Sequence, residues 1–183
     1  MKAKDWLEEQ HIDLAINYLN SVNKNLTFKL VKVSEIVQHM IGQNEFKFDN
    51  QLDYVFIQNV NSNHWVTVYK RKQNWMVYDS LNDKNYAKGL LYFFQSLYPN
   101  RHQIEIEYMD VNSQKGSDDC GLFAISYAQS FCQGIEPSDL KFNQLSMRKN
   151  FNYLVKNKVL VQVGASKRVA TNNSTIIKLQ LVF

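Results

Sequence analysis

The stretch Ser117-Asp118-Asp119-Cys120-Gly121-Leu122-Phe123-Ala124-Ile125-Ser126-Tyr127-Ala128 decides how this 183-residue chain is read. From Gly121 to Gln133, Leu122, Phe123, Ala124, Ile125, Tyr127, Ala128 and Phe131 leave almost no polar face. A helix that is apolar nearly all round must be buried, so this segment predicts a central helix wrapped by other elements. Gly134 and then Pro137 supply its stop. Cys120 stands one residue before the helix, and Asp118 and Asp119 read as caps turned away from its sulfur.

The flanking sequence supplies the layers. Residues 5–22 read as an amphipathic helix through Ile12, Ala15, Ile16, Leu19 and Val22, with Asp5 and Glu8 spaced as a capping box. Ser34 is placed to cap a short helix carrying Ile36, Val37, Met40 and Ile41, closed by Gly42. Tyr54–Ile57 is an unbroken apolar run, as in a central strand. Trp65–Tyr69 and Trp75–Tyr78 flank the polar turn Lys70–Asn74 and read as a hairpin, its connection too short for a parallel crossover.

Asn85–Tyr98 reads as one helix stopped by Pro99, Ile104–Tyr108 as a half-buried strand, and 143–157 as a last helix. The expected class is α+β, a mostly antiparallel central sheet flanked by helices. One domain is expected over 1–160. Residues 161–183 form a tail that is either disordered or an added edge strand, through alternating Ile177, Leu179, Leu181 and Phe183.

Composition narrows the function classes. Hydrophobic residues at 45% and charged residues at 21% suit a folded domain. The net charge of +4 comes from scattered lysines without an arginine stripe, so nucleic acid is not the expected partner. No apolar run reaches membrane-spanning length, and Met1–Gln10 lacks the apolar core of a secretory signal. Cys120 and Cys132 on one helix would lie about 18 Å apart, against roughly 4.4–6.8 Å for a disulfide. No zinc-type ligand spacing occurs, so neither metal nor organic cofactor is expected. The reading is a reduced, intracellular monomer, in nucleus or cytoplasm or delivered into a host cell as an effector.

Four residues carry chemistry. Cys120 sits at the positive end of a helix dipole, which favours the nucleophilic thiolate. Gly121 leaves room there for a substrate backbone. His64 opens a strand beside the polar turn Asn61-Ser62-Asn63 and is the candidate base, whereas His11, His39 and His102 read as surface histidines. Asp79 ends the next strand, and hairpin pairing would bring it to the end where His64 lies, to orient the imidazole. Gln114, six residues before Cys120, is the candidate oxyanion donor beside the Cys120 N–H. Cys132, deep in the helix, reads as an inert thiol.

Taken together, His64-Trp65, Asp79-Ser80 after an apolar strand, and Gln114 ahead of Asp119-Cys120-Gly121 resemble the ubiquitin-like-protease family of SUMO-type deconjugating peptidases, with adenoviral-type maturation peptidases as distant relatives. The resemblance spans roughly residues 6–154 and implies a papain-like cysteine peptidase that cleaves after the C-terminal glycine of a ubiquitin-like modifier. It implies that Trp6 and Trp65 roof a narrow tunnel for a Gly-Gly tail, and that Glu9 contacts the modifier. Met147-Arg148 matches a further family feature. Three alternatives stay open: a polyprotein-processing peptidase of a virus or mobile element, an acetyltransferase on the same fold, and a silent modifier-binding module.

Overall fold

The computed structural model describes residues 6–23, 27–42, 46–159, 165–168 and 173–181. Its centre is a six-stranded mixed sheet. The strands are β1 (Phe28–Val31), β2 (Asp53–Val60), β3 (His64–Arg71), β4 (Asn74–Tyr78), β5 (Gln103–Met109) and β8 (Ser174–Gln180), in the spatial order β1-β2-β3-β4-β5-β8. The β2–β3, β3–β4 and β5–β8 pairs are antiparallel, and β1–β2 and β4–β5 are parallel. A two-stranded ribbon pairs β6 (Leu140–Phe142) with β7 (Ala165–Lys167). Residues 174–180 are therefore part of the central sheet.

Helices cover both faces. Helix α1 (Glu9–Val22), α4 (Cys120–Cys132) and α5 (Gln144–Asn157) pack into one apolar cluster against inward residues such as Val55, Ile57, Trp65 and Tyr78. On the other face a 3-10 segment (Lys84–Leu90) and helix α3 (Leu91–Leu97) cover Phe56, Val66, Val68, Val77 and Ile106. Twelve consecutive residues of α4, Cys120 to Phe131, are buried, as its all-round apolar sequence requires. Thr67 on β3 donates its hydroxyl to the Ala124 carbonyl at 3.0 Å, which fixes α4 over the sheet.

Several local expectations are corrected. Helix α1 starts at Glu9, where His11 Nδ1 accepts the Glu8 N–H at 3.1 Å; Asp5 lies outside the described residues. Val22, placed on the apolar stripe by spacing, is exposed at the helix end. Helix α2 (Val33–Gly42) is not capped by Ser34. Asp13 of α1 accepts the Val33 and Ser34 N–H groups at 2.7 and 3.2 Å, and Ser34 Oγ donates to the same carboxylate.

The single helix expected over 85–98 is a 3-10 segment followed by α3. Gly89 packs so closely on the β2–β3 turn that a Cβ there would lie 2.8 Å from Val60 Cβ and 2.9 Å from Asn61 Oδ1. Among the described residues no helix is long and apolar enough to cross a membrane.

Candidate active site

His64 begins β3 because the chain reverses just before it. Asn61 and Ser62 take left-handed backbone angles (φ 55° and 58°), and His64 pairs with Val60 across the turn. Asparagine tolerates this conformation better than other non-glycine residues. The imidazole is 1% exposed and lies against the Tyr86 ring at a centroid distance of 4.4 Å.

The β3–β4 register pairs Thr67 with Tyr78, so Asp79, the next residue, reaches the end of the sheet where His64 starts. Asp79 Oδ1 accepts from His64 Nε2 at 2.5 Å and from the Leu81 N–H at 2.8 Å. Its Oδ2 accepts from the Tyr108 hydroxyl at 2.5 Å and from the Asp83 N–H at 3.1 Å. Four donors thus fix one fully buried carboxylate. Two of the donors are backbone groups of the turn that Asp79 itself starts, so the residue is at once a turn-former and the partner of His64.

With Nε2 occupied by Asp79, the other ring nitrogen, Nδ1, is left for Cys120, which lies near enough to raise the His64 pKa. Burial alone would lower the His64 pKa. The hydrogen bond to Asp79, the nearness of Cys120 and the charge of Asp79 outweigh it and push the pKa up to about 9. An imidazole of that basicity is protonated near neutral pH. Cys120 is 2% exposed, so the sulfur is buried.

Gln114 is held at both ends of its amide. The Ser80 hydroxyl donates to its Oε1 at 2.6 Å, and its Nε2 donates to the Gly116 carbonyl at 2.7 Å, which leaves a second amide hydrogen for a ligand. Its backbone N–H also bonds to the Ser80 carbonyl at 2.8 Å. The loop after β4 and the loop before α4 are therefore tied together, and Asn82 adds bonds to Val111 and Ser113.

Other expected site residues fall differently. Asp119 makes no side-chain cap bond to α4; its carboxylate is held by Arg148 Nη2 at 2.6 Å and Gln144 Nε2 at 2.7 Å. Asp118 accepts from the Ser117 hydroxyl at 2.9 Å. At Gly121 the space is not left for a substrate: a Cβ would meet Leu7 Cβ at 2.9 Å and Trp65 Cδ1 at 3.2 Å. Trp65 is buried, with its indole N–H on the Leu7 carbonyl at 2.8 Å. Trp6 is 40% exposed and lines a surface cleft with Phe151 and Val155 of α5. Glu9 is exposed in a groove between α1 and the start of α2, beside Asp13 and Ser34. Cys132 is half-buried, and burial pushes its thiol up to about 11.

A family model described as YopJ serine/threonine acetyltransferase matches residues 5–179. The chain belongs to the YopJ serine/threonine acetyltransferase family. No curated protein sequence matches it.

Solved structures show which fold this YopJ-family chain shares. The Ulp1 protease domain in complex with Smt3, the yeast ortholog of SUMO, superposes with a TM-score of 0.61 at 13% identity, over 87% of this chain and 80% of that one. The Xanthomonas campestris effector XopD bound to ubiquitin gives a TM-score of 0.51 at 13% identity, over 91% and 88%. At such identities the likeness is one of fold: the ubiquitin-like-protease type expected from the residue order is the architecture of this YopJ-family chain.

Sequence reasoning missed Tyr108, Tyr86 and Gln144, and quoted Ser80 without giving it a role. Tyr108 had a signal, since the alternation Ile104, Ile106, Tyr108 puts it on the buried face of β5. Nothing local marked the others.

Proposed function

We propose that the chain is a cysteine acyltransferase that carries an acetyl group on Cys120 and passes it to a serine or threonine hydroxyl of a protein. The observation that carries the chemistry is the buried His64–Asp79 hydrogen bond beside Cys120, the first residue of α4. The choice of acetyl transfer is supported by the family match over residues 5–179.

In the first step the Cys120 thiolate attacks the carbonyl of an acetyl thioester donor such as acetyl-coenzyme A. Gln114 and the Cys120 N–H hold the oxyanion, the donor C–S bond breaks, and His64 protonates the departing thiolate. In the second step the acceptor hydroxyl attacks the Cys120 thioester, His64 takes its proton, and Cys120 leaves as thiolate. Asp79 orients His64 and stabilises the imidazolium throughout.

Hydrolysis is the second reading, supported by the fold shared with Ulp1 and XopD and by the matching order of His64, Asp79, Gln114 and Cys120. There the acyl group is the C-terminal glycine of a ubiquitin-like modifier, the leaving group an amine, and the acceptor water. The pairing of Trp6 with Trp65 as a tunnel roof gives this reading less support, because Trp65 is buried and Trp6 lies out at the α5 cleft. The likeness to a bacterial effector supports action inside a host cell.

Two assays on the same preparation separate the readings. Wild type and Cys120→Ala are incubated with acetyl-coenzyme A and mapped by mass spectrometry. In parallel, both are treated with ubiquitin and ubiquitin-like proteins bearing C-terminal electrophiles. Cys120-dependent acetylation without modifier adducts is expected. Modifier adducts without acetylation would replace acetyl transfer by the peptidase.

A further inference from the structure

The two groups assigned to the oxyanion, the Gln114 amide and the Cys120 N–H, stand at the two ends of one connection: residues 114–119 have no regular secondary structure, and Cys120 opens α4. Oxyanion donors stabilise a transition state only if they are fixed before the reaction begins, and a displacement of about 1 Å can cost two orders of magnitude in rate. Something must therefore hold the loop at both ends.

The first residue of α5 does so. Gln144 Oε1 accepts the Lys115 backbone N–H at 2.7 Å, and Gln144 Nε2 donates to the Lys115 carbonyl at 2.9 Å. The same Nε2 donates its other hydrogen to Asp119 Oδ2 at 2.7 Å. Lys115 is the neighbour of Gln114, and Asp119 is the neighbour of Cys120. One primary amide thus spends an acceptor and two donors on the residues adjoining both oxyanion donors. Only asparagine and glutamine offer that combination on one side chain group. One helical turn further on, Arg148 Nη2 holds the other Asp119 oxygen at 2.6 Å and the Asp118 carbonyl at 3.2 Å. Residues four apart share a helix face, so both struts come from the same side of α5.

We infer that Gln144 is a positioning residue for the oxyanion hole, setting the distance between the Gln114 amide and the Cys120 N–H. The inference rests on the acyl-transfer reading of Cys120. Gln144 itself touches none of the reacting atoms.

The test compares two reactions at the same sulfur. Acylation by 4-nitrophenyl acetate passes through a tetrahedral oxyanion. Alkylation by iodoacetamide displaces iodide directly and forms none, though it needs the same thiolate. In Gln144→Ala the acylation rate should fall about 10- to 100-fold while the alkylation rate stays at the wild-type value. Gln144→Glu retains the volume and the acceptor for Lys115 but loses both donors and sets a second carboxylate beside Asp119. It should show the same split, and it serves as the test if the alanine variant does not fold. Equal acylation rates in wild type and both variants would overturn the assignment. So would a proportional fall in acylation and alkylation, which would mean that Gln144 supports the thiolate or the fold. A wild-type Cys120 that does not acylate at all would overturn the acyl-transfer reading, and the assignment of Gln144 with it.

Discussion

Tyr108 on β5 donates its hydroxyl to Asp79 Oδ2 at 2.5 Å, across the carboxylate from the oxygen that His64 Nε2 meets. Burial, and then the charge of Asp79, push the phenol well above its ordinary pKa, so Tyr108 stays a donor throughout the working pH range. The strand pairing explains the contact: β5 runs parallel to β4 with Tyr108 opposite Val77, two residues before Asp79, so Tyr108 lies on the sheet face toward which Asp79 continues.

Tyr108→Phe should therefore lower stability by about 1.5–3 kcal/mol, the usual range for a hydrogen bond to a charged group. A carboxylate that loses a donor binds the neighbouring imidazolium more tightly, so the alkaline limb of the rate profile should move to higher pH. Urea unfolding and a pH–rate profile check the two effects; an unchanged profile would reduce Tyr108 to a packing residue.

Asp79→Asn should slow turnover by roughly a thousandfold or more while leaving the protein folded. The new amide can donate to His64 Nε2, which then carries no proton. The proton moves to Nδ1, facing Cys120, and the ring can no longer accept from the thiol. Steady-state kinetics beside circular dichroism would check this, and a rate within a few-fold of wild type would show that another group orients His64.

The pH dependence follows from the His64 pKa of about 9, which lies above its unfolded value of 6.5. A raised pKa stabilises the folded state fully below pH 6.5, and that contribution is lost as pH rises through 9. Acyl transfer should fall over the same upper range, because the imidazolium that protonates the leaving group disappears. Denaturant midpoints measured from pH 6 to 10 should decline along this curve. The decline should be absent in His64→Ala.

Gly121→Ala should destabilise the fold by about 1–3 kcal/mol, as overpacking does. The added methyl must push back Leu7, whose Cβ would be 2.9 Å away, and Trp65, the residue next to His64. Thermal unfolding of the variant measures the cost. A neutral outcome would mean that Leu7 yields freely.

How much of this could be read from the chain depends on where each signal lies. Cys120, His64 and Asp79 were legible because each stands where an apolar run begins or ends, and the hairpin alone brings two of them together. The central helix was legible because Leu122–Phe131 has almost no polar face. Tyr108, Tyr86 and Gln144 were not, because their contacts depend on β4 lying parallel to β5, on the 3-10 segment folding over His64, and on α5 docking against the 114–119 loop. Gly121 was misread as access for a substrate because the sequence does not show that Leu7, far away in the chain, fills that space. The break in the 85–98 helix was hidden for the same reason: Gly89 answers to Val60 and Asn61 on another element.

The most direct test of the account is whether Cys120 carries an acetyl group. The full chain, mixed with acetyl-coenzyme A and quenched in acid within seconds, should yield one acetyl thioester on the peptide containing Cys120. Hydroxylamine should remove it, and it should be absent from Cys120→Ala and strongly diminished in His64→Ala. An unmodified Cys120, or equal acetylation of wild type and Cys120→Ala, would contradict acetyl transfer through this thiol.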